Sequence, residues 1–173
     1  MKNILFVAGS LREASASRAT VRALVARLDT VSPIIADVGL LPLYNADLVD
    51  DTAVADWIAQ VNAADGVVFV TPEYNYSIPG VLKNAIDWAS RPAYASAFTG
   101  KKCFVMSISG GLLGGVRAQA HLKYILNGML AEVFTCKEIV VTNANTKVED
   151  GILNDEAVLD FATENLQGFL ATL

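Results

Sequence analysis

Short apolar runs alternate with longer amphipathic stretches along the whole chain, and this alternation constrains the fold more than any other feature. The first run, 4–8, is apolar at every position and stops at Gly9, which is typical of a strand buried on both faces of a sheet. Apolar residues at helical spacing follow, at Val21, Leu24 and Leu28. Repeated units of this kind predict a parallel sheet with right-handed crossovers and helices on both faces.

The same reasoning divides the chain into five strand–helix units. The predicted strands are 4–8, 33–38, 66–70, 102–108 and 139–142, the last preceded by a short apolar pair at 133–134. The predicted helices are 17–28, 52–64, 79–89, 116–130 and 155–170. Because no linker, repeat or low-complexity segment separates these elements, we expect residues 1–173 to form a single doubly wound α/β domain.

Composition and charge exclude several classes of protein. The chain has 173 residues, of which 53% are hydrophobic and 18% charged, with a formal net charge of −5. It lacks the Lys and Arg runs of a general nucleic-acid binder. No apolar segment reaches the roughly 18 residues of a membrane span, and the N-terminus lacks a signal-peptide pattern, so we expect a cytoplasmic protein with no membrane or nucleic-acid partner. We interpret Cys103 and Cys136 as buried thiols in a reducing compartment.

Three loops are the candidate ligand loops. In doubly wound sheets, ligands bind beyond the carboxyl ends of the strands, where the strand order reverses. The loops that follow the first, third and fourth predicted strands meet this condition. They are the first loop (9–18), the second loop (71–80) and the third loop (107–117).

The first loop is rich in groups that bind phosphate. It opens a helix, where unpaired backbone N–H groups and the positive end of the helix dipole converge. The hydroxyls of Ser10, Ser15 and Ser17 can donate to phosphate oxygens, and Arg12 can neutralise them. The loop lacks the G-x-G-x-x-G and G-x-x-x-x-G-K-[ST] patterns, which disfavours a dinucleotide or P-loop site. The alternative is that Ser10 and Glu13 form a capping box without any ligand.

The second loop combines two prolines with two tyrosines and an asparagine. A rigid loop of this kind can present backbone polar groups and an aromatic ring to the polar edge of a flat heterocycle. The alternative is a plain strand–helix connection, in which Ser77 caps the next helix and Pro79 lies in its first turn.

The third loop contains four glycines, at positions 110, 111, 114 and 115. These residues can leave backbone amides open to close approach by a ligand, or they can simply allow a flexible turn.

The sequences of these loops resemble the NADPH-dependent FMN reductase family, which includes chromate, quinone and azo-dye reductases. The motifs are Gly-Ser-Leu-Arg-x-x-Ser at 9–15, Pro-Glu-Tyr-Asn-x-Ser-x-Pro-Gly-x-Leu-Lys-Asn-Ala-Ile-Asp-Trp at 72–88, and Gly-Gly-x-Arg-x-Gln at 114–119. The likeness runs over essentially the whole chain. It implies a flavodoxin-like fold of strand order 2-1-3-4-5, non-covalent FMN, NADPH or NADH as co-substrate, and a homodimer or homotetramer.

Carried over by position, the resemblance also implies which residues bind FMN. The phosphate would be held by Ser10, Arg12, Ser15 and Ser17, and the isoalloxazine ring would be lined by Pro72, Glu73, Tyr74 and Asn75, with Ser109 and Gly111 at its other end. Two positions depart from the family pattern. Ser17 stands where Asn is common, and the pair Gly110–Gly111 makes this stretch more flexible than the usual Ser-x-Gly.

The expected function is ping-pong hydride transfer from NADPH or NADH through FMN to a small electron-poor acceptor: a quinone, chromate, an azo compound or free flavin. Such chemistry needs no catalytic side chain, and the sequence has no His/Cys cluster for a metal. We expect the lone His121 to be structural. Two alternatives stay open: a non-enzymatic electron carrier like flavodoxin, and an FMN-binding redox sensor that acts through a partner.

The predicted helix 79–89 carries more apolar surface than one face of a sheet needs, including Val81, Leu82, Ile86 and Trp88. It either forms part of a subunit interface or is buried against its own sheet.

Overall fold

Strands and helices alternate along the chain in the computed structural model, which describes residues 1–173. The strands are β1 (Lys2–Ala8), β2 (Val31–Ile35), β3 (Gly66–Pro72), β4 (Lys102–Ile108), β5 (Glu132–Val133), β6 (Val140–Val141), β7 (Val148–Glu149) and β8 (Ile152–Leu153). The helices are α1 (Ala16–Val25), α2 (Thr52–Ala63), α3 (Gly80–Trp88), α4 (Val116–Gly128) and α5 (Glu156–Leu170). Short 3-10 turns lie at Val38–Leu40 and Ala144–Thr146. None of the helices combines the length and apolarity needed to cross a membrane.

The main sheet has the order β2-β1-β3-β4-β5, with β6 also paired to β4, and all its pairings are parallel. The expected flavodoxin-like order 2-1-3-4-5 is therefore confirmed, but two short strands share the fifth position. Between these pairings β4 advances four residues, from Cys103 to Ser107, while the outer chain advances seven, from Val133 to Val140. Because the outer chain is three residues longer over this span, it must leave the ladder, and the single predicted strand is split.

Two apolar layers cover the two faces of the sheet. Alternate residues of β1 face opposite ways: Leu5 and Val7 pack with α2, α3 and α4, whereas Ile4 and Phe6 pack with α1 and α5. All four side chains are fully buried. Burial on both faces explains why the central strands are apolar at every position instead of alternating with polar residues.

Most predicted boundaries agree with the structure to within two residues, and the exceptions lie at α1 and β2. Helix α1 ends at Val25 because the next residues form a tighter turn, in which Arg27 N–H donates to the Leu24 carbonyl. Strand β2 ends at Ile35 because Asp37 then caps the 3-10 turn. It is an edge strand with an exposed outer part, where Pro33 removes no hydrogen bond that the ladder needs.

Helix α3 packs against its own sheet, as one of the two alternatives left open by its sequence predicts. Leu82, Ile86 and Trp88 belong to the apolar layer of this chain, and the Trp88 indole donates to a loop carbonyl 2.7 Å away. Its solvent-facing side carries the Lys83–Asp87 ion pair. Most of the apolar surface of α3 is therefore buried within this chain, and Val81 stays partly exposed.

The two cysteines are free thiols. Cys103 is buried in β4, where burial raises the pKa of its thiol to about 12, so the thiol stays protonated. Cys136 is only half-buried, in the segment that leaves the ladder between β5 and β6, so its predicted burial is partial.

Candidate ligand site at the carboxyl ends of the strands

A cavity of about 240 Å³ opens at the carboxyl ends of the central strands. The three predicted loops form most of its wall. Eight of the ten predicted site residues line it: Ser10, Arg12, Ser15, Ser17, Pro72, Glu73, Tyr74 and Ser109. Asn75 and Gly111 lie outside the lining, and Ala144 and Asn145 line it without having been predicted.

The first and second loops meet at Gly9. Its N–H donates to the Val70 carbonyl at 2.9 Å, and a Cβ at this position would come within 2.9 Å of the Pro72 ring. Because the Pro72 ring is rigid and part of the cavity wall, only a residue without a side chain allows this approach.

Helix α1 begins with its own cap. The Ser15 hydroxyl accepts the Arg18 N–H at 3.2 Å, so Ser15 caps the helix and the alternative of a Ser10–Glu13 capping box is wrong. The Glu13 carboxylate instead pairs with the Arg18 guanidinium at 3.3 Å and does not line the cavity. The Glu13 carboxylate therefore does not face the space where an anion would bind.

The wall formed by the first loop is a set of hydrogen-bond donors. Ser10, Ser15 and Ser17 border the cavity although their side chains are almost completely buried, and the Ser15 and Ser17 hydroxyls lie 3.3 Å apart. The N–H groups in the first turn of α1, including that of Ala16, have no carbonyl partner within the helix. Arg12 forms no ion pair with any carboxylate, so its charge is free for a ligand. Such a donor set at a helix N-terminus fits a phosphate group.

The second loop is a tight two-residue hairpin turn. The backbones of Tyr74 and Ser77 exchange two hydrogen bonds, of 2.9 and 3.1 Å, and the two residues between them have φ of +49° at Asn75 and +68° at Tyr76. This is the pattern of a type I′ turn. Because Asn75 occupies the turn, it lies outside the cavity lining, whereas Tyr74 stays in it with its hydroxyl 3.2 Å from the Ser10 hydroxyl.

Ser77 does not cap α3. The residue before that helix is Pro79, which makes no capping hydrogen bond, and the Ser77 hydroxyl lies 2.9 Å from His121 Nδ1 instead. His121 is exposed on α4 and lies outside the cavity lining.

The Glu73 carboxylate is engaged with α4. It accepts the N–H of Arg117 at 3.1 Å and that of Ala118 at 3.3 Å, and it pairs with the Arg117 guanidinium at 3.3 Å. Glu73 borders the cavity, but its carboxylate is already hydrogen-bonded to α4, and its negative charge is stabilised by the positive end of the helix dipole.

The glycines of the third loop have different surroundings. Gly115 has φ of +83° and its α-carbon faces the Ile108 carbonyl, where a Cβ would approach to 2.8 Å, so this position needs glycine to form the turn into α4. Gly111 has open surroundings, but its N–H donates to the Ser109 hydroxyl and its carbonyl accepts the Asn143 N–H. These hydrogen bonds within the loops explain why Gly111 does not line the cavity.

A fourth segment, the 3-10 turn after β6, completes the wall. The Ala144 N–H donates to the Ser109 carbonyl at 2.9 Å, which brings Ala144 and Asn145 against the third loop. These two residues were not predicted, because only the loops next to the reversal in strand order were candidates. The polar run from Thr142 to Thr146, directly after the last predicted strand, is the feature that could have indicated them.

Comparisons with known proteins agree with one another. The family model described as NADPH-dependent FMN reductase matches residues 2–146. An NAD(P)H-dependent FMN reductase of Pseudomonas aeruginosa is 36% identical over 169 residues, covering 95% of this chain and 91% of the relative. A quinone reductase of Escherichia coli K12 is 42% identical over 143 residues, covering 79% of this chain and 74% of the relative. The solved structure of a flavoenzyme NAD(P)H:(acceptor) oxidoreductase from Paracoccus denitrificans superposes with a TM-score of 0.83 at 30% identity, covering 99% of this chain and 96% of that one.

Proposed function

The chain belongs to the NADPH-dependent FMN reductase family, and from this premise we propose that it uses NAD(P)H and FMN to reduce quinones and other electron-poor small molecules. The observation that carries the proposal is the donor set of the first loop, in which three buried hydroxyls and an unpaired guanidinium meet at the start of α1. These groups would hold the FMN phosphate.

The remaining walls of the cavity supply candidate contacts for the rest of the cofactor. Pro72, Glu73 and Tyr74 would border the isoalloxazine ring, with Ser109 at its other end. Asn75 and Gly111 belong to the same two loops and would join these contacts only at the rim. Asn145 adds an amide that could bind a polar group of the cofactor.

FMN, when bound, would take a hydride from NAD(P)H and pass two electrons to the acceptor, so that NAD(P)H, a proton and a quinone become NAD(P)⁺ and a hydroquinone. The protein's part is to hold the cofactor and leave room for the two substrates. The hairpin of the second loop gives a rigid wall, and the backbone N–H groups near the cavity can stabilise negative charge. No side chain of this chain is assigned a proton transfer.

The acceptor class follows from the relatives, two of which are named for FMN and quinone reduction. We extend the proposal to chromate, azo compounds and free flavin, because a cavity that recognises the cofactor places few demands on the acceptor. We also infer that the protein works in the cytoplasm, where NAD(P)H is supplied.

We propose that the protein forms a homodimer or homotetramer through a surface other than α3. Four large apolar or aromatic side chains are exposed on the second loop, the third loop and α4: Tyr76, Leu112, Leu113 and Tyr124. Exposed apolar groups of this size favour contact with another protein surface. Light scattering coupled to size-exclusion chromatography measures the molar mass directly, and a monomer would contradict this part of the proposal.

Anaerobic mixing of the FMN-loaded protein with excess NADPH tests the main proposal. The visible absorption of oxidised flavin should disappear, and addition of a quinone should restore it; a parallel run with NADH gives the preference between the two dinucleotides. Flavin that stays oxidised with both dinucleotides would favour an electron carrier or a sensor. Failure of the protein to bind FMN would contradict the cofactor site itself.

A further inference from the structure

Three contacts join the second loop to α4. The Glu73 carboxylate accepts two N–H groups from the first turn of the helix, the Ser77 hydroxyl lies 2.9 Å from His121 Nδ1, and the Arg117 guanidinium lies 4.7 Å from the centre of the Tyr76 ring. Together they connect a loop that borders the cavity to a helix that follows another loop of the same cavity. We call this set of contacts the loop–helix clamp.

The Glu73 contact takes the place of the cap that α4 lacks. Gly115 stands immediately before the helix and has no side chain, so it cannot satisfy the N–H groups of the first turn. Helices α1, α2 and α5 are instead capped by the residue directly before them: Ser15, Asp51 and Asp155. The cap of α4 comes from a residue 44 positions earlier in the chain, and only 14% of its side chain is exposed.

The Glu73 end of this contact borders the cavity, and the α4 end connects to it through the third loop. Pro72 and Tyr74, on either side of Glu73, line one wall, and the turn at Gly115 leads back to the Ser109 wall of the third loop. The position of the carboxylate therefore fixes the separation of the two walls. Both of its oxygens accept hydrogen bonds from α4, so Glu73 acts through the helix and not as an acid or base.

We propose that Glu73 is a positioning residue that holds the second and third loops at the separation required by the flavin ring. This inference rests on the proposed function, since it concerns the same cofactor. The charge of the Glu73 carboxylate is matched by Arg117 and by the helix N-terminus, which lets this carboxylate lie next to a cofactor that would gain negative charge on reduction.

Binding of FMN and of riboflavin, which lacks the phosphate, tests this role. The two dissociation constants are measured by flavin fluorescence for the wild type, for Glu73→Gln and for Asp51→Asn. Asp51 is the matched control, because it is an acidic cap at the start of α2 and does not line the cavity. Glu73→Gln loses charge-assisted hydrogen bonds and should weaken both ligands by about tenfold, with their ratio unchanged. Asp51→Asn should leave both constants unchanged.

The visible spectrum of the bound flavin adds a readout that a loss of stability alone would not move. At saturating FMN the absorption bands should shift in Glu73→Gln and not in Asp51→Asn. If Glu73→Gln fails to fold, Arg117→Gln removes the ion pair and leaves the carboxylate on the helix, and it should weaken both ligands by about threefold.

Each other outcome contradicts the inference in a different way. Wild-type affinity and spectrum in Glu73→Gln would show that the clamp does not shape the ring site. A loss confined to FMN would place the effect at the phosphate end. If the wild type binds neither flavin, the proposed function fails and the inference fails with it. If the wild type binds both flavins and Glu73→Gln binds them equally well, only the inference fails and the proposed function stands.

Discussion

The first and second loops border the same cavity, but contacts of very different range hold them in place. In the first loop, Ser15 caps a helix through a residue three positions away, and its own N–H donates to the Arg12 carbonyl. In the second loop, Glu73 and Ser77 contact residues of α4 that are 44 positions later in the chain. The proposed phosphate end of the site is therefore built mostly from contacts within the first loop, whereas the proposed ring end depends on the packing of α4 against the sheet.

The two ends of the proposed site should respond differently to substitutions. A local set of donors keeps its geometry as long as α1 is folded, because the helix itself presents the N–H groups. The geometry of the ring end depends on the relative positions of two loops and a helix, so a shift of α4 changes that geometry. We expect substitutions at the phosphate end to alter the selectivity between FMN and riboflavin, and substitutions in the loop–helix clamp to alter both affinities together.

The largest expected effect is at Gly9, where the two loops touch. In Gly9→Val the new side chain meets the Pro72 ring, and the free energy of unfolding should fall by about 3 kcal/mol, the upper range for overpacking. Both flavins should bind much more weakly, since both walls are displaced. Gly80→Val is the control, because no atom lies within 4 Å of a Cβ at that position. Chemical denaturation and flavin titration measure both quantities, and equal stability of the two variants would contradict the prediction.

The next effect concerns the phosphate end alone. Arg12→Gln removes the unpaired guanidinium, and FMN should bind about tenfold more weakly while riboflavin binds as in the wild type. The loss of FMN affinity should be smaller at high salt, because salt screens the attraction between the exposed Arg12 guanidinium and the FMN phosphate. Arg27→Gln serves as the control, since this arginine pairs with Glu156 and Asp160 on α5. Equal weakening of both flavins by Arg12→Gln would remove the distinction between the two ends of the site.

The difference between local and long-range contacts also explains how much of the fold and the site could be predicted from the sequence. Features set by neighbouring residues agree with the structure: the apolar strands are present, and the four candidate residues of the first loop lie in the cavity wall, while their role as phosphate donors stays a prediction. The strand order came from the family resemblance and is confirmed. The sequence did not reveal that two positive-φ residues turn Asn75 out of the cavity lining, because neither is glycine.

Contacts between distant segments could not be predicted. The direction of the Glu73 carboxylate depends on a helix far along the chain, and no local pattern specifies it. Asn145 was missed for a different reason: the strand before it was predicted close to its observed place, but the polar run that follows was not among the candidate loops. Periodicity identifies elements, but the side chains that meet at a sheet edge depend on how those elements pack.

A third prediction compares a local cap outside the cavity lining with the long-range cap of α4. Asp155 caps α5 and pairs with Lys147 at 2.6 Å, and the Lys147 hydrogen bond lowers the pKa of the Asp155 carboxyl below its ordinary value of 3.8. Asp155→Ala should cost about 1 kcal/mol of stability at neutral pH. Because the folded pKa lies below the unfolded one, this contribution is present above about pH 4 and is lost as the pH falls through the folded pKa.

Denaturation of the wild type and of Asp155→Ala at pH 7 and at pH 2 checks this prediction. The difference in unfolding free energy between the two proteins should narrow at the lower pH. FMN affinity at pH 7 should not change, in contrast to Glu73→Gln. A weaker affinity for FMN in Asp155→Ala would mean that caps of either range affect the cofactor site.

The smallest expected effect is at the one hydrogen bond that joins the two loops directly. The Tyr74 hydroxyl lies 3.2 Å from the Ser10 hydroxyl, and Tyr74→Phe removes that contact while keeping the aromatic ring in the wall. Because Tyr74 is about half exposed, water can replace the lost partner, and the stability should fall by about 0.5 kcal/mol. A double-mutant cycle with Ser10→Ala, read out by FMN titration, measures the coupling between the loops. Coupling near zero would mean that the two ends of the site are independent apart from Gly9; coupling above about 1 kcal/mol would mean that the phosphate end is not built locally, and the contrast between the loops would fail.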